Sequence, residues 1–266
     1  MDNRAIGIFD SGAGGLTALR CIREIMPNED IVYFGDTINV PYGEKSREDV
    51  IKCGHHNIEF LKSKNVKVIL AACGTVSSQL GYIKSDIPVL GIIKPVCKKA
   101  VSVTKNGKIA VLATSATINS GIFKRTCSEI SPKLEIHQQP CPKLATLIEN
   151  GHISPNDSEL SDALSEYLQK INSLDIDTLI LGCTHYPIAE NAIKNLLANK
   201  SLTLLDAGKE AAEALKKFIY ENNIQSENAY KSENIKYFIS GEKEAFAKVA
   251  RTFLGYDIKS LISTEK

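Results

Sequence analysis

The chain has 266 residues, enough to bury a sizeable core in one large or two moderate domains. Hydrophobic residues make up 43% and charged residues 24%. With 32 basic against 31 acidic residues, no net field points to nucleic acid or an anionic membrane as a partner. The apolar stretches are far shorter than a membrane span, and Met1-Asp2-Asn3-Arg4 runs directly into a strand, so no signal peptide is expected and the expected compartment is the cytoplasm.

Strand-like and helix-like segments alternate. Ile6-Gly7-Ile8-Phe9 reads as a short buried strand, Gly12 to Gly15 as a turn, and residues 16–25 as a helix with apolar side chains at helical spacing. Ile31-Val32-Tyr33-Phe34 is a second strand, ending at Gly35-Asp36-Thr37. A helix over 47–63 follows, then an apolar run that closes on Ala72-Cys73-Gly74-Thr75, then a short strand at Val89-Leu90-Gly91-Ile92. The pattern restarts with a strand over 108–114, a helix near 118–127 and a short strand at Leu134-Glu135-Ile136. A helix over about 160–171 comes next, then the run Thr178-Leu179-Ile180-Leu181-Gly182-Cys183, then a strand at 202–206. Residues 211–266 read as helix, strand (235–239) and helix, returning to pack on the first unit, with the polar stretch 221–234 the loosest part.

The βαβα order predicts an α/β fold with mostly parallel sheets covered by helices. Ile6 to Ile109 and Cys73 to Cys183 are similarly spaced, which reads as an internal duplication: two similar α/β domains related by a pseudo-two-fold axis. The expected division is 1–97 plus 208–266 for the first, carrying Cys73, and 98–207 for the second, carrying Cys183, with the active site in the cleft between them.

Two of the seven cysteines close their apolar runs in the same way, each delivering a thiol to the C-terminal end of a strand, where open α/β sheets bind ligands. Two thiols presented alike suggest one acid and one base on opposite faces of a substrate. The odd count and scattered spacing argue against a disulfide framework or a zinc site. Cys21, Cys53, Cys97 and Cys127 read as inert buried residues, and Cys141, between two prolines, as structural. Asp10-Ser11-Gly12-Ala13-Gly14-Gly15 follows the first strand and opens a helix. A nucleotide cradle is one reading, with Asp36 at the ribose-binding place. Thr17 stands where a third small residue is needed, however, and Asp10 would repel a pyrophosphate. Asp10 and Ser11 could face a small polar substrate, or Asp10 could cap the helix; Asp36-Thr37 could be plain turn chemistry. Pro41-Tyr42-Gly43 could be a turn or could line a pocket with backbone amides and a phenol. His55, His56, His137 and His152 read as surface or packing residues.

Together these segments resemble glutamate racemases of the cofactor-independent aspartate/glutamate racemase superfamily: Asp10-Ser11-Gly12-x-Gly14-Gly15-Leu16-Thr17, Tyr33-Phe34-Gly35-Asp36-Thr37, Val40-Pro41-Tyr42-Gly43, Ala116-Thr117 and Gly182-Cys183-Thr184-His185-Tyr186-Pro187. The resemblance implies racemisation of L-glutamate to D-glutamate for peptidoglycan synthesis, with no cofactor and no metal. The thiols of Cys73 and Cys183 would work from opposite faces, Asp10 assisting the first and His185 the second. Ser11, Pro41, Tyr42, Gly43, Gly74, Thr75, Thr117, Thr184 and His185 would contact the substrate together with Asp10, and Asp36 and Glu149 would support the site. The partner implied is a small molecule, with neither nucleic acid nor membrane, and a homodimer is left open. A helix starting after Cys73 would favour thiolate there. The sequence departs from the pattern at Gly74, where the family usually has asparagine, and at Ala207, where serine is usual. Losing that side-chain amide removes a hydrogen bond worth on the order of 1.5–3 kcal/mol, about tenfold to a hundredfold in rate or binding. Two alternatives remain: a racemase for aspartate or another small acidic amino acid, and a weakly active amino-acid-binding protein.

Overall fold

The computed structural model describes residues 1–229 and 234–264, so four residues of the polar stretch 221–234 and the last two of the chain lie outside the described residues. The first half runs β1 (Ile6–Asp10), α1 (Leu16–Ile25), β2 (Ile31–Gly35), α2 (Arg47–Ser63), β3 (Val68–Ala71), α3 (Gly74–Ser77), β4 (Val89–Gly91) and α4 (Ile93–Val103). The second runs β5 (Lys108–Ala113), α5 (Ser115–Asn119), α6 (Ile122–Ile130), β6 (Glu135–Pro140), α7 (Leu144–Glu149), α8 (Ser158–Asn172), β7 (Thr178–Leu181), α9 (Glu190–Leu196) and β8 (Thr203–Asp206). The chain then adds α10 (Ala207–Glu221), β9 (Ile235–Ile239), α11 (Lys243–Leu254) and β10 (Leu261–Ser263).

Every strand pair is parallel. One sheet has the order β10-β9-β2-β1-β3-β4 and the other β6-β5-β7-β8. The second order repeats the β2-β1-β3-β4 portion of the first, so the duplication read in the sequence is present as topology. Residues match by register: Phe9 and Leu112 each pair with the last residue of the cysteine-bearing strand, Ala71 and Leu181. The chain passes between the sheets through α4, which contains residue 97, and returns through α10, which begins at residue 207.

β1, β2, β3 and β7 are buried along their whole length, as parallel strands covered on both faces must be. In β1 to β3, Ile6, Ile8, Tyr33, Val68 and Leu70 face a core that continues through the second sheet, while Phe9, Val32, Phe34, Ile69 and Ala71 pack under α2. α2 begins where Ser46 accepts a hydrogen bond from the Asp49 amide and carries Glu48 and Asp49 in its first turn, favourable for the helix dipole.

Four local readings change. The single helix near 118–127 is two, because Gly121 adopts a left-handed backbone (φ 67°) between α5 and α6. β6 runs on to Pro140, its edge position leaving half-buried polar residues that periodicity alone reads as loop. α4 and α7 were not legible as helices. β10 adds an outer strand beside β9, both on the first sheet.

The N-terminal end of that sheet is tied by a buried ion pair. Lys67 Nζ, with no exposed side chain, reaches Glu29 Oε2 at 2.5 Å and also donates to the carbonyls of Asp2 and Ile224. Glu29→Ala leaves that ammonium buried with carbonyls alone, which costs about 3–5 kcal/mol. Urea denaturation checks this; a loss below about 1 kcal/mol, the scale of an exposed pair, would show that the site rehydrates.

Candidate functional site

Cys73 and Cys183 stand two residues beyond β3 and β7, at equivalent places on the two sheets. Both thiols line one cavity of about 60 Å³, whose walls come from both halves of the chain. Cys73 is 5% and Cys183 7% exposed, while the rim residues Val40, Pro41, Glu44, Pro142 and Thr146 are exposed, so the thiols lie at the bottom of a cavity open to one side.

On the Cys73 side, the thiol donates to Ser11 Oγ at 3.8 Å, and Ser11 Oγ lies 3.4 Å from Asp10 Oδ1. Asp10 therefore reaches the sulfur through Ser11. It is fully buried and is not among the residues that line the cavity. Nor does it cap α1, whose first residue follows Gly15 with no side-chain cap. Its carboxylate accepts from the Gly12 amide at 3.0 Å and from Thr184 Oγ1 at 3.2 Å. Burial raises the pKa of Asp10, with His185 and the Gly12 amide opposing. The Cys73 thiol is pushed up to about 12, first by burial and then by the negative charge of Asp10. The expected help from a helix dipole is outweighed: α3 has only four residues, and burial dominates.

On the Cys183 side, Sγ lies 3.5 Å from His185 Nδ1, and His185 Nε2 lies 2.7 Å from Glu149 Oε1. Burial works against the imidazolium, but contact with the Cys183 sulfur and Glu149 holds the His185 pKa well above its usual value. The same contact pulls Glu149 below the usual carboxylate range against its own burial. The ring lies nearly perpendicular to Phe253, ring centroids 5.6 Å apart, and against Gly14, where a Cβ would come within 2.4 Å of His185 Cε1. The glycine-rich turn thus serves to seat a histidine from the other half. Thr17, whose hydroxyl donates to the carbonyls of Gly14 and Thr184, fixes the same junction.

A third group of polar atoms is a triangle of hydroxyls. Thr75 Oγ1 lies 3.0 Å from Thr114 Oγ1, which lies 2.9 Å from Thr117 Oγ1. Thr75 and Thr117 were expected at the site; Thr114 was missed. Register makes Thr114 the counterpart of Ser11, so the internal repeat was the signal that could have found it. Pro41, Tyr42 and Gly43 also line the cavity. The Tyr42 hydroxyl, however, points away, donating to Asp36 at 2.5 Å and accepting from Asn57, so the phenol contributes no polar group to the cavity. Asp36 does not line the cavity either. It holds the 37–44 loop through Asn39 and Tyr42 and reaches Ser240 near the C-terminal end of β9. The Thr184 side chain is committed to Asp10. Among the other cysteines, Cys97, Cys127 and Cys141 are buried, whereas Cys21 and Cys53 sit half-exposed on their helices. His137 and His152 are paired with Glu135 and Asp157, and His55 and His56 are exposed.

Two strand-end thiols line one cavity, each with its own polar neighbours: Ser11 and Asp10 beside Cys73, His185 and Glu149 beside Cys183. The Asp/Glu/hydantoin racemase family matches residues 15–215. Glutamate racemase of Persephonella marina is 42% identical over 257 residues, 96% of this chain and 95% of that protein. Glutamate racemase 1 of Caldanaerobacter subterraneus is 38% identical over 254 residues, 95% of this chain and 93% of that protein. Among solved structures, glutamate racemase RacE1 from Bacillus anthracis superposes with a TM-score of 0.93 at 34% identity, covering 100% and 98% of the two chains. The Francisella tularensis enzyme in complex with D-glutamate gives 0.91 at 32%, covering 100% and 98%. The chain belongs to the Asp/Glu/hydantoin racemase family.

The His185–Glu149 pair makes a pH-dependent contribution to stability. The share of His185, whose folded pKa is raised, is complete below its unfolded value and is lost as pH rises through the folded one. The share of Glu149, whose folded pKa is lowered, is complete above its unfolded value and is lost as pH falls through the folded one. Glu149→Gln should therefore lower the melting temperature most between about pH 4.3 and pH 6.5, the unfolded values of the two groups. Thermal melts across pH check this; a difference that does not vary with pH would mean that the pair is not charged.

Proposed function

We propose that this chain interconverts L- and D-glutamate by removing the α-proton with one thiol and returning a proton from the other. The site is the cavity between residues 1–97 with 208–266 and residues 98–207. The observation that carries the reading is the placement of Cys73 and Cys183 at equivalent strand ends on one cavity. Membership of the family and the D-glutamate held by the Francisella relative support it.

The two sides differ in their surroundings. Cys73, with its pKa pushed up to about 12, holds its proton near neutral pH and is the donor. Cys183 lies against His185, itself paired with Glu149, so that the ring can exchange a proton with this thiol. In this arrangement the α-proton leaves toward Cys183 and a proton arrives from Cys73, inverting the carbon; the opposite direction starts from the opposite proton distribution. The Ser11–Asp10 and His185–Glu149 relays carry the redistribution. Backbone amides after Cys73 and the Thr75, Thr114 and Thr117 hydroxyls are placed to hold the substrate carboxylates and to stabilise the charge that develops as the α-proton leaves. The protein would act in the cytoplasm, and its D-glutamate would serve peptidoglycan synthesis.

Incubation with L-glutamate in deuterated water, followed by NMR and chiral chromatography, is the test. The expected result is deuterium at the α-carbon together with D-glutamate. Cys73→Ser and Cys183→Ser should each lower inversion by about 10²–10⁴-fold while glutamate still raises the melting temperature. Full activity in either variant would remove the two-thiol mechanism, and no exchange with wild-type protein would remove the racemase.

A further inference from the structure

The two cysteine loops touch through their backbones. A Cβ placed on Gly74 would lie 2.6 Å from the Gly182 carbonyl oxygen, the peptide that leads into Cys183. Gly74 has no left-handed backbone that would exclude a side chain, so the obstacle is purely this contact. Neither side can retreat locally. The Gly74 carbonyl accepts from the Ser78 amide and the Cys73 carbonyl from the Ser77 amide, which fixes both in α3. On the other side, the Gly182 amide donates to the Leu112 carbonyl at 2.8 Å. Gly182 is backed by Phe123, whose Cζ lies 2.9 Å from a Cβ position there. A Cβ at 74 does not fit this arrangement unless the backbone shifts.

We propose that Gly74 is a positioning residue that sets the separation of the two thiols: lacking a side chain, it lets the peptide after Cys73 rest on the carbonyl before Cys183. A side chain at 74 is relieved only by moving the two halves apart, which carries the sulfurs with them. This rests on the two-thiol racemase reading, because thiol spacing matters to chemistry only if both thiols act on one carbon. The consequence is specific. Proton removal needs one thiol near the α-carbon, whereas inversion needs both at once. Widening the gap therefore costs inversion more than exchange.

The test has two independent readouts on Gly74→Ala, with Gly81→Ala, whose Cβ meets nothing within 4 Å, as the control for a glycine-to-alanine change. Crystal structures of wild type and variant give the Cys73–Cys183 sulfur separation, which should widen in Gly74→Ala whatever the substrate proves to be. In deuterated water with L-glutamate, the variant should lose about 100-fold in inversion, the scale of a displacement on the order of 1 Å, while α-proton exchange falls less and KM moves little. Phe123→Leu removes the backing of Gly182 and should shift the exchange-to-inversion ratio in the same direction, so the idea is read even if Gly74→Ala does not accumulate as folded protein. An unchanged sulfur separation, or a ratio equal to wild type, overturns the proposal. Absence of any exchange by wild type would instead overturn the racemase reading, leaving the crystallographic spacing to decide the role of Gly74.

Discussion

The arrangement turns on one buried carboxylate. Asp10 has no solvent contact, and a charge in that position is tolerated only when its oxygens are occupied. One partner, the Gly12 amide, is local; another, the Thr184 hydroxyl, comes from the opposite half of the chain beside Cys183. Satisfying Asp10 therefore requires the two strand ends to meet. The other cross-links cluster around it: Thr17 on the Thr184 carbonyl, Gly14 against the His185 ring, and Gly74 on the Gly182 carbonyl. The sheets supply two equivalent platforms, and the buried acid fixes how their C-terminal edges face each other.

Equivalent platforms carry unequal chemistry. Register sets Asp10 against Ala113, Ser11 against Thr114 and Cys73-Gly74-Thr75 against Cys183-Thr184-His185. The first thiol has a negative charge behind it and holds its proton tightly; the second lies against an imidazole whose pKa is held up by the Cys183 sulfur and Glu149. Two repeat positions, acid against alanine and histidine against threonine, make the surroundings of the two thiols different.

Much of this was readable in the residues. Buried parallel strands announce themselves as short apolar runs, so β1, β2, β3, β5 and β7 fell where expected, and the two thiols could be placed at strand ends because each closes such a run. α1 and α2 matched their periodicity. What was not legible depended on pairing. β6 is polar because it lies at an edge, and α7, which carries Glu149, is only six residues long. Tyr42 looked like a pocket phenol because sequence does not say where a hydroxyl points. Its partner Asp36 lies six residues away, and their common anchor Ser240 lies 204 residues from Asp36. Asp10 looked like a possible helix cap and does not cap α1, and its carboxylate accepts from a residue 174 positions away. Side-chain direction, unlike element type, is a long-range property.

The anchoring by Ser240 carries a consequence for how the protein is made. Ser240 accepts from the Ile38 amide and donates to Asp36, and β9 lies directly against β2. The loop that carries Pro41, Tyr42 and Gly43 is encoded early but held in place by residues encoded near the end. During synthesis on the ribosome, both thiols and the histidine exist in the chain well before the strand that pins this loop. The wall of the cavity formed by this loop is therefore complete only once the last strands have docked, after both thiols are already in the chain.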